Sequence, residues 1–298
     1  MRRIVRLAVA LFLVACTKPT PPVAELQAAV PAPVDAGPPL SVDATTCTAL
    51  PPATGCFRFA TPQAAFQHVL ALRPTILGIG ESHAPADKGV ASSTARFTNQ
   101  LLPLVAPAAS DIVVELWAPD PRCTKEAKAV ASAQRPIIEA QAETNQNEYV
   151  VLGTEAKAAG MTPWLLRPTC DDFTMLADAG ADSIGAMLEL VKRLTASKIT
   201  QLHARRPDRI LIAYGGALHN DLSPPESTRP YSFGPELDQL VPGRYVELDL
   251  IVPEFVKKTQ VWEKLPWYAS FQAAQTRDGT TLYQTGERSF VLVFARTK

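Results

Sequence analysis

Several familiar sites are missing from this chain, and each absence excludes a class of protein. There is no Walker A sequence, no G-x-S-x-G nucleophile elbow and no H-E-x-x-H helix. Gly78 and Gly80 begin a dinucleotide-type fingerprint, but His83 stands where its third glycine belongs. No C-x-x-C occurs among the five cysteines, so a zinc ribbon or a thioredoxin-like redox centre has no support. Basic and acidic residues balance at 29 each with no basic stripe, which leaves nucleic acid without an electrostatic footprint. No internal repeat of about 20 to 50 residues is visible. Histidine is scarce as well: there are four in 298 residues, so two in matching contexts are informative.

Long apolar runs are also missing. The longest near the start, Leu7 to Val14, follows Arg2, Arg3 and Arg6 and is too short to cross a bilayer. It leads into Leu13-Val14-Ala15-Cys16, which resembles the bacterial lipobox. That resemblance implies a signal peptide over residues 1–16 and a lipidated Cys16. Thr17 after the cysteine points to the outer membrane, facing the periplasm. Loss of Arg2, Arg3 and Arg6 takes the 29 basic residues to 26 against 29 acidic. Residues 17–45 carry seven prolines among Ala, Val and Thr and read as a disordered tether. Residues 46–298 then form one domain, long enough to bury a full core. Its contact with a membrane is expected through the lipid anchor only. In an oxidising compartment the remaining cysteines are expected to pair as Cys47–Cys56 and Cys123–Cys170.

The apolar pattern predicts an α/β fold: a mainly parallel central sheet flanked by helices, with an antiparallel edge hairpin. Strands are expected at Thr75–Gly80, Asp111–Trp117, Thr162–Leu166, Arg209–Tyr214 and Arg244–Val252, the last less than fully buried. Thr281–Gln284 and Ser289–Ala295 give the hairpin. Thr61-Pro62 caps a helix to about Leu72. Further helices are expected over Ala91–Val105, Lys125–Ala133 and Glu148–Ala159, and most of Asp171–Arg205.

One pattern occurs twice. Apolar runs end in Gly80-Glu81-Ser82-His83 and Gly216-Ala217-Leu218-His219, and each delivers a histidine just past a strand end. A third run brings Glu115 to the end of its strand. In an α/β protein that edge of the sheet is where ligand chemistry is built. Glu81, His83, Glu115 and His219 are therefore the candidate catalytic residues. The same four are a candidate first shell for a divalent transition metal, and His83 and His219 are candidate cofactor ligands. Equally, Glu81 or Glu115 could activate water while the histidines stabilise charge. Spacing alone does not choose between these. Asp87 and Lys88 could line the cleft; Arg96 reads as a solvated helix residue and otherwise as an anion clamp. Asn220 either orients His219 or starts a turn, Tyr214 reads as core, and His68 reads as structural. None of the four site residues is expected to carry stability.

Taken together, Leu77-Gly78-Ile79-Gly80-Glu81-Ser82-His83, the strand ending in Glu115 and Gly215-Gly216-Ala217-Leu218-His219 resemble the EreA/ChaN-like superfamily in order. The resemblance covers about residues 70 to 222 and implies that these four residues carry the site. It implies one of three activities: haem binding on a ChaN-like lipoprotein, ester hydrolysis of the erythromycin-esterase type, or metal-dependent peptide cleavage of the TIKI/TraB type. His83 is followed by Ala84-Pro85, whereas the esterase branch has His-Gly there. The first expectation is an envelope lipoprotein that binds haem or a transition metal. A hydrolase using Glu as general base is the alternative, and a non-catalytic envelope scaffold the second. In the first two cases the partner is a small-molecule ligand or substrate.

Overall fold

The computed structural model describes residues 44–86, 89–118, 120–123, 128, 130–132, 141–271 and 279–297. Cys16, the expected tether up to residue 43, Asp87, Lys88 and most of the expected Lys125–Ala133 helix lie outside the described residues.

The strands are β1 (Thr45–Thr46), β2 (Gly55–Phe59), β3 (Ile76–Glu81), β4 (Ala109–Trp117), β5 (Thr162–Leu166), β6 (Ile210–Gly216), β7 (Tyr245–Ile251), β8 (Thr280–Gly286) and β9 (Ser289–Val293). They form one mixed nine-stranded sheet in the order β1-β2-β8-β9-β7-β3-β6-β4-β5. Neighbours from β9 to β5 run parallel, while β8, β2 and β1 join antiparallel. The expected α/β class and its hairpin are thus present. The hairpin is not the outermost element, because β2 and β1 extend the sheet beyond it. Gly55-Cys56-Phe57-Arg58-Phe59 is not among the expected strands, and its strand character comes from pairing with β8.

The strand period of two sorts the core onto two faces. Leu77, Ile79, Ile112, Val114, Ile212 and Leu248 pack on one side with Phe66 and Phe97. Ile76, Val113, Leu211, Ala213 and Tyr245 pack on the other with Val191, Ile199 and Leu202 from the Ser183–His203 helix. Each such aliphatic side chain contributes about 1.5–3 kcal/mol. β3 is therefore held by Ile76, Leu77 and Ile79, which leaves Gly78 and Gly80 for close approach of other groups. A β-carbon on Gly80 would lie 2.6 Å from the Ala217 backbone and collide with Asp249 and Asn220. The loop after β6 can sit against β3 only because that side chain is missing.

Local signals explain the helix boundaries. Thr61 caps Pro62–Leu70 by accepting from Ala64 N at 3.2 Å. Ser92 caps Ser93–Arg96 by accepting from Ala95 N at 2.9 Å. This helix continues through a π turn, Phe97–Leu101, into Leu102–Val105. Pro103 lacks an N–H, and the widened turn just before it absorbs the break in the ladder. The expected long helix after Asp171 is divided into Cys170–Asp178 and Ser183–His203 at Gly180, whose φ is +55°. Both expected disulfides are formed. Cys47–Cys56 staples the β1–β2 hairpin, and Cys123–Cys170 ties the loop after β4 to the Cys170–Asp178 helix across 47 residues.

β7 is more buried than its alternation suggests: six of its seven residues are buried, the acid Glu247 among them, while Asp249 keeps partial exposure. The 217–223 loop lies against the face that carries these acids. Glu247 accepts from Leu222 N at 2.8 Å and Ser289 Oγ at 2.7 Å, and Asp249 accepts from Asn220 Nδ2 at 3.0 Å. Burial raises both acids; the charges of Asp249 and Asp221 add to it for Glu247, and that of Asp221 for Asp249. The folded chain thus holds protons on them that the unfolded chain releases above the ordinary carboxylate range. This contribution is present at acid pH and is lost as pH rises through the raised values, by at most about 1.4 kcal/mol per pH unit per proton. Asp249→Asn should flatten that decline, which urea midpoints between pH 5 and 9 would show; an unchanged slope would refute the assignment.

Candidate functional site

β3, β4 and β6 are adjacent and parallel, so their carboxyl ends lie side by side. Glu81 ends β3 opposite Gly216 of β6, on the face carrying Leu77 and Ile79. Glu115 belongs to the opposite face with Val113, at a point where the β4–β5 register shifts between Val114 and Trp117. The two acids reach the same edge from the two sides of the sheet. His83 and His219 complete the set from the loops that follow.

Glu81 is 4% exposed and its oxygens accept three close hydrogen bonds. Its Oε1 accepts from His83 Nδ1 at 2.9 Å and Tyr149 Oη at 2.7 Å, and its Oε2 accepts from Thr94 Oγ1 at 2.6 Å. Tyr214 Oη stands behind, 3.5 Å from Oε2. Burial alone would raise this carboxyl, but His83 and the Thr94 and Tyr149 hydroxyls bring it below its ordinary value. For His83, burial works against protonation; the hydrogen bond and charge of Glu81, with the charge of Glu115, overturn it and hold the imidazolium up to about 9. His83 therefore carries protons on both nitrogens at neutral pH, with Nδ1 turned to Glu81.

His219 is 3% exposed and its tautomer is fixed. Nδ1 lies 2.8 Å from the Tyr231 carbonyl oxygen, which can only accept, so Nδ1 carries a proton and the lone pair of the neutral ring is on Nε2. That Nε2 faces Glu115 Oε1 at 3.6 Å, beyond direct hydrogen-bond range. Glu115 Oε2 is anchored by Gly216 N–H at 2.7 Å. The His219 loop is held by Phe233 N–H and Ser232 Oγ on its carbonyl, at 2.8 and 3.0 Å. All of these converge above Gly216: a β-carbon there would lie 3.6 Å from His83 Nε2, 3.7 Å from Glu115 Oε2 and 3.9 Å from His219 Cδ2.

A cavity of about 570 Å³ opens over this point. Its polar end is formed by the four site residues with Tyr149, Gln141 and Gln146, and its wall by Trp117, Leu218 and apolar residues of the Ser183–His203 helix. Among the described residues, no three His, Cys, Asp or Glu side chains are grouped as a metal cage in this conformation.

The four residues named from sequence are therefore brought together. The Ser82 hydroxyl is buried with no hydrogen-bond partner, so it forms no triad with a histidine. Arg96 is neither solvated nor a clamp: it bonds the Ala91 and Ala295 carbonyls and Thr297 Oγ1, anchoring the last residues of the chain. Asn220 does not orient His219 through its side chain, which reaches Gly78 O and Asp249 instead. His68 is packed among Phe57, Phe59 and Phe290. Thr94 and Tyr149 went unnoticed in the sequence; nothing in their helical contexts marks them, since only the fold brings them to Glu81.

No protein-family model matches the chain, and no curated protein matches it. Two solved structures do. The type III effector HopBA1 is 14% identical over 83% of this chain and 100% of that one, with a TM-score of 0.38. A succinoglycan biosynthesis protein is 14% identical over 59% of this chain and 51% of that one, with a TM-score of 0.26. Likenesses this remote carry no functional argument.

Proposed function

We propose that the chain is a hydrolase of carbonyl esters, and the observation that carries this reading is the convergence of His83, Glu115 and His219 on one point above Gly216. A water held between Glu115 Oε1 and His219 Nε2 gives its proton to that nitrogen as its oxygen adds to the substrate carbonyl. His83 Nε2–H donates to the oxyanion that forms. Collapse of the tetrahedral species breaks the bond to the alkoxy group, which takes the proton back from His219 and leaves as alcohol beside the new acid. Glu115 stabilises the transient imidazolium. Glu81 is the positioning residue for His83 rather than the base, because its oxygens already accept three hydrogen bonds.

The EreA/ChaN-like resemblance supports this assignment of the four residues, and we read the chain as a lipid-anchored envelope protein of that superfamily. The two disulfides support an oxidising compartment. Haem or transition-metal binding is the second reading. It is favoured by His219, whose Nδ1–H is fixed by a carbonyl and whose Nε2 lone pair faces an apolar-walled cavity. A metal would find its ligand in His219, with Glu115 beside it.

Gly216→Ala tests the first reading. The new methyl fits at ordinary contact distance and the Gly216 N–H remains, yet it occupies the point where water and carbonyl must meet. Turnover of a p-nitrophenyl ester should fall about 10²-fold with the melting temperature unchanged. Metal analysis and a haem titration on the same protein decide the second reading. A stoichiometric ligand with no esterase activity would reverse the order of the two.

A further inference from the structure

Residues Ile184, Met187, Leu188 and Val191 line the cavity at spacings of three, four and seven, so they form one apolar stripe on the Ser183–His203 helix. Exposure falls along it, from 53% at Ile184 to 4% at Val191. The stripe therefore runs from solvent into the interior beside the sheet. Leu218, 37% exposed, and Trp117 face the same space from the other side. Ile184 and Leu218 are large aliphatic residues left in water at a cavity mouth, where a ligand would cover them. Seven helical residues rise about 10 Å, the length of an extended acyl chain of roughly eight carbons. At the polar end beyond the stripe the His83 imidazolium offsets Glu81 and leaves the Glu115 carboxylate, which favours a neutral group there over an acid. A cavity of about 570 Å³ suits one such chain and its ester, not the body of a two-chain lipid.

We propose that the substrate is a neutral single-chain acyl ester whose chain of about eight carbons lies along Ile184, Met187, Leu188 and Val191. The proposal rests on the hydrolase reading for the ester but not for the chain, and the two are tested separately. Linear methyl ketones from four to twelve carbons are titrated calorimetrically into the full-length protein. They keep a neutral carbonyl and an alkyl chain but cannot be hydrolysed. Affinity should rise about fourfold per methylene, as expected for a buried CH₂, and level off near nine carbons.

Ile184→Asp, at an exposed position that tolerates charge, should weaken the nine-carbon ketone about tenfold and the five-carbon ketone less than twofold. Met187→Trp, which fills the channel, should move the plateau to shorter chains. Affinity independent of chain length, or equal losses for long and short ketones in Ile184→Asp, would overturn the proposal. Hydrolysis of p-nitrophenyl esters is followed in parallel. Chain-dependent ketone binding without turnover would remove the hydrolase and keep the acyl-chain site. Turnover with chain-independent ketone binding would do the reverse.

Discussion

His219→Ala is expected to lower ester turnover about 10³-fold while the protein stays folded. The fall follows from what His219 alone supplies: a lone pair at Nε2 that is aimed at the reaction point before any substrate arrives. General acid–base catalysis by a positioned side chain is worth about 10²–10⁴-fold, and here one nitrogen serves both the attack and the collapse. The structural loss is smaller. One hydrogen bond to the Tyr231 carbonyl disappears, about 1 kcal/mol, so the melting temperature should drop by only a few degrees. The loop keeps its backbone bonds from Phe233 and Ser232. Steady-state kinetics beside a thermal melt separate the two effects. A residual activity above a tenth of wild type would remove His219 as the base and throw the role onto Glu115.

Much of this site was legible from sequence because strand ends are. An apolar run that stops at glycine in an alternating β/α pattern is close to a statement of where its last side chain goes, and it placed Glu81, His83, Glu115 and His219 on one edge. What sequence could not give is which residues stand behind them. Thr94 lies on the next helix, and Tyr149 comes from a helix 68 residues beyond Glu81. Neither has a local signature, since a threonine or tyrosine on a helix face is usually unremarkable. β7 misled for a related reason. Glu247 and Asp249 give it the alternation of a half-solvated strand, but the loop after His219 lies against the face that carries them, and the acids are met by Leu222 N–H, Ser289 and Asn220. Alternation reports polarity at a strand face and not what else will cover it.

The largest stability effect is expected at Glu81, against the expectation that the four site residues matter only for function. Glu81→Leu leaves the Tyr149 and Thr94 hydroxyls without an acceptor in the core and an imidazolium at His83 without its counter-charge. Removing one partner of a buried, hydrogen-bonded ion pair typically costs about 3–5 kcal/mol. For a domain of this size that is a fall in melting temperature of roughly 10 °C or more. Glu81→Gln keeps an acceptor oxygen and should lose less.

The pH dependence separates charge from packing. Glu81 is lowered in the folded state, so its contribution is present above the ordinary carboxylate range and is lost as pH falls. His83 is raised to about 9, so its contribution is complete below the ordinary histidine value and is lost as pH rises through 9. The pair thus stabilises the fold over a plateau between those limits. In Glu81→Gln the plateau should flatten at both ends, read as urea midpoints from pH 3 to 10. Equal destabilisation by Gln and Leu with an unaltered pH profile would mean that Glu81 is a packing residue, and that His83 is not held as a cation by it.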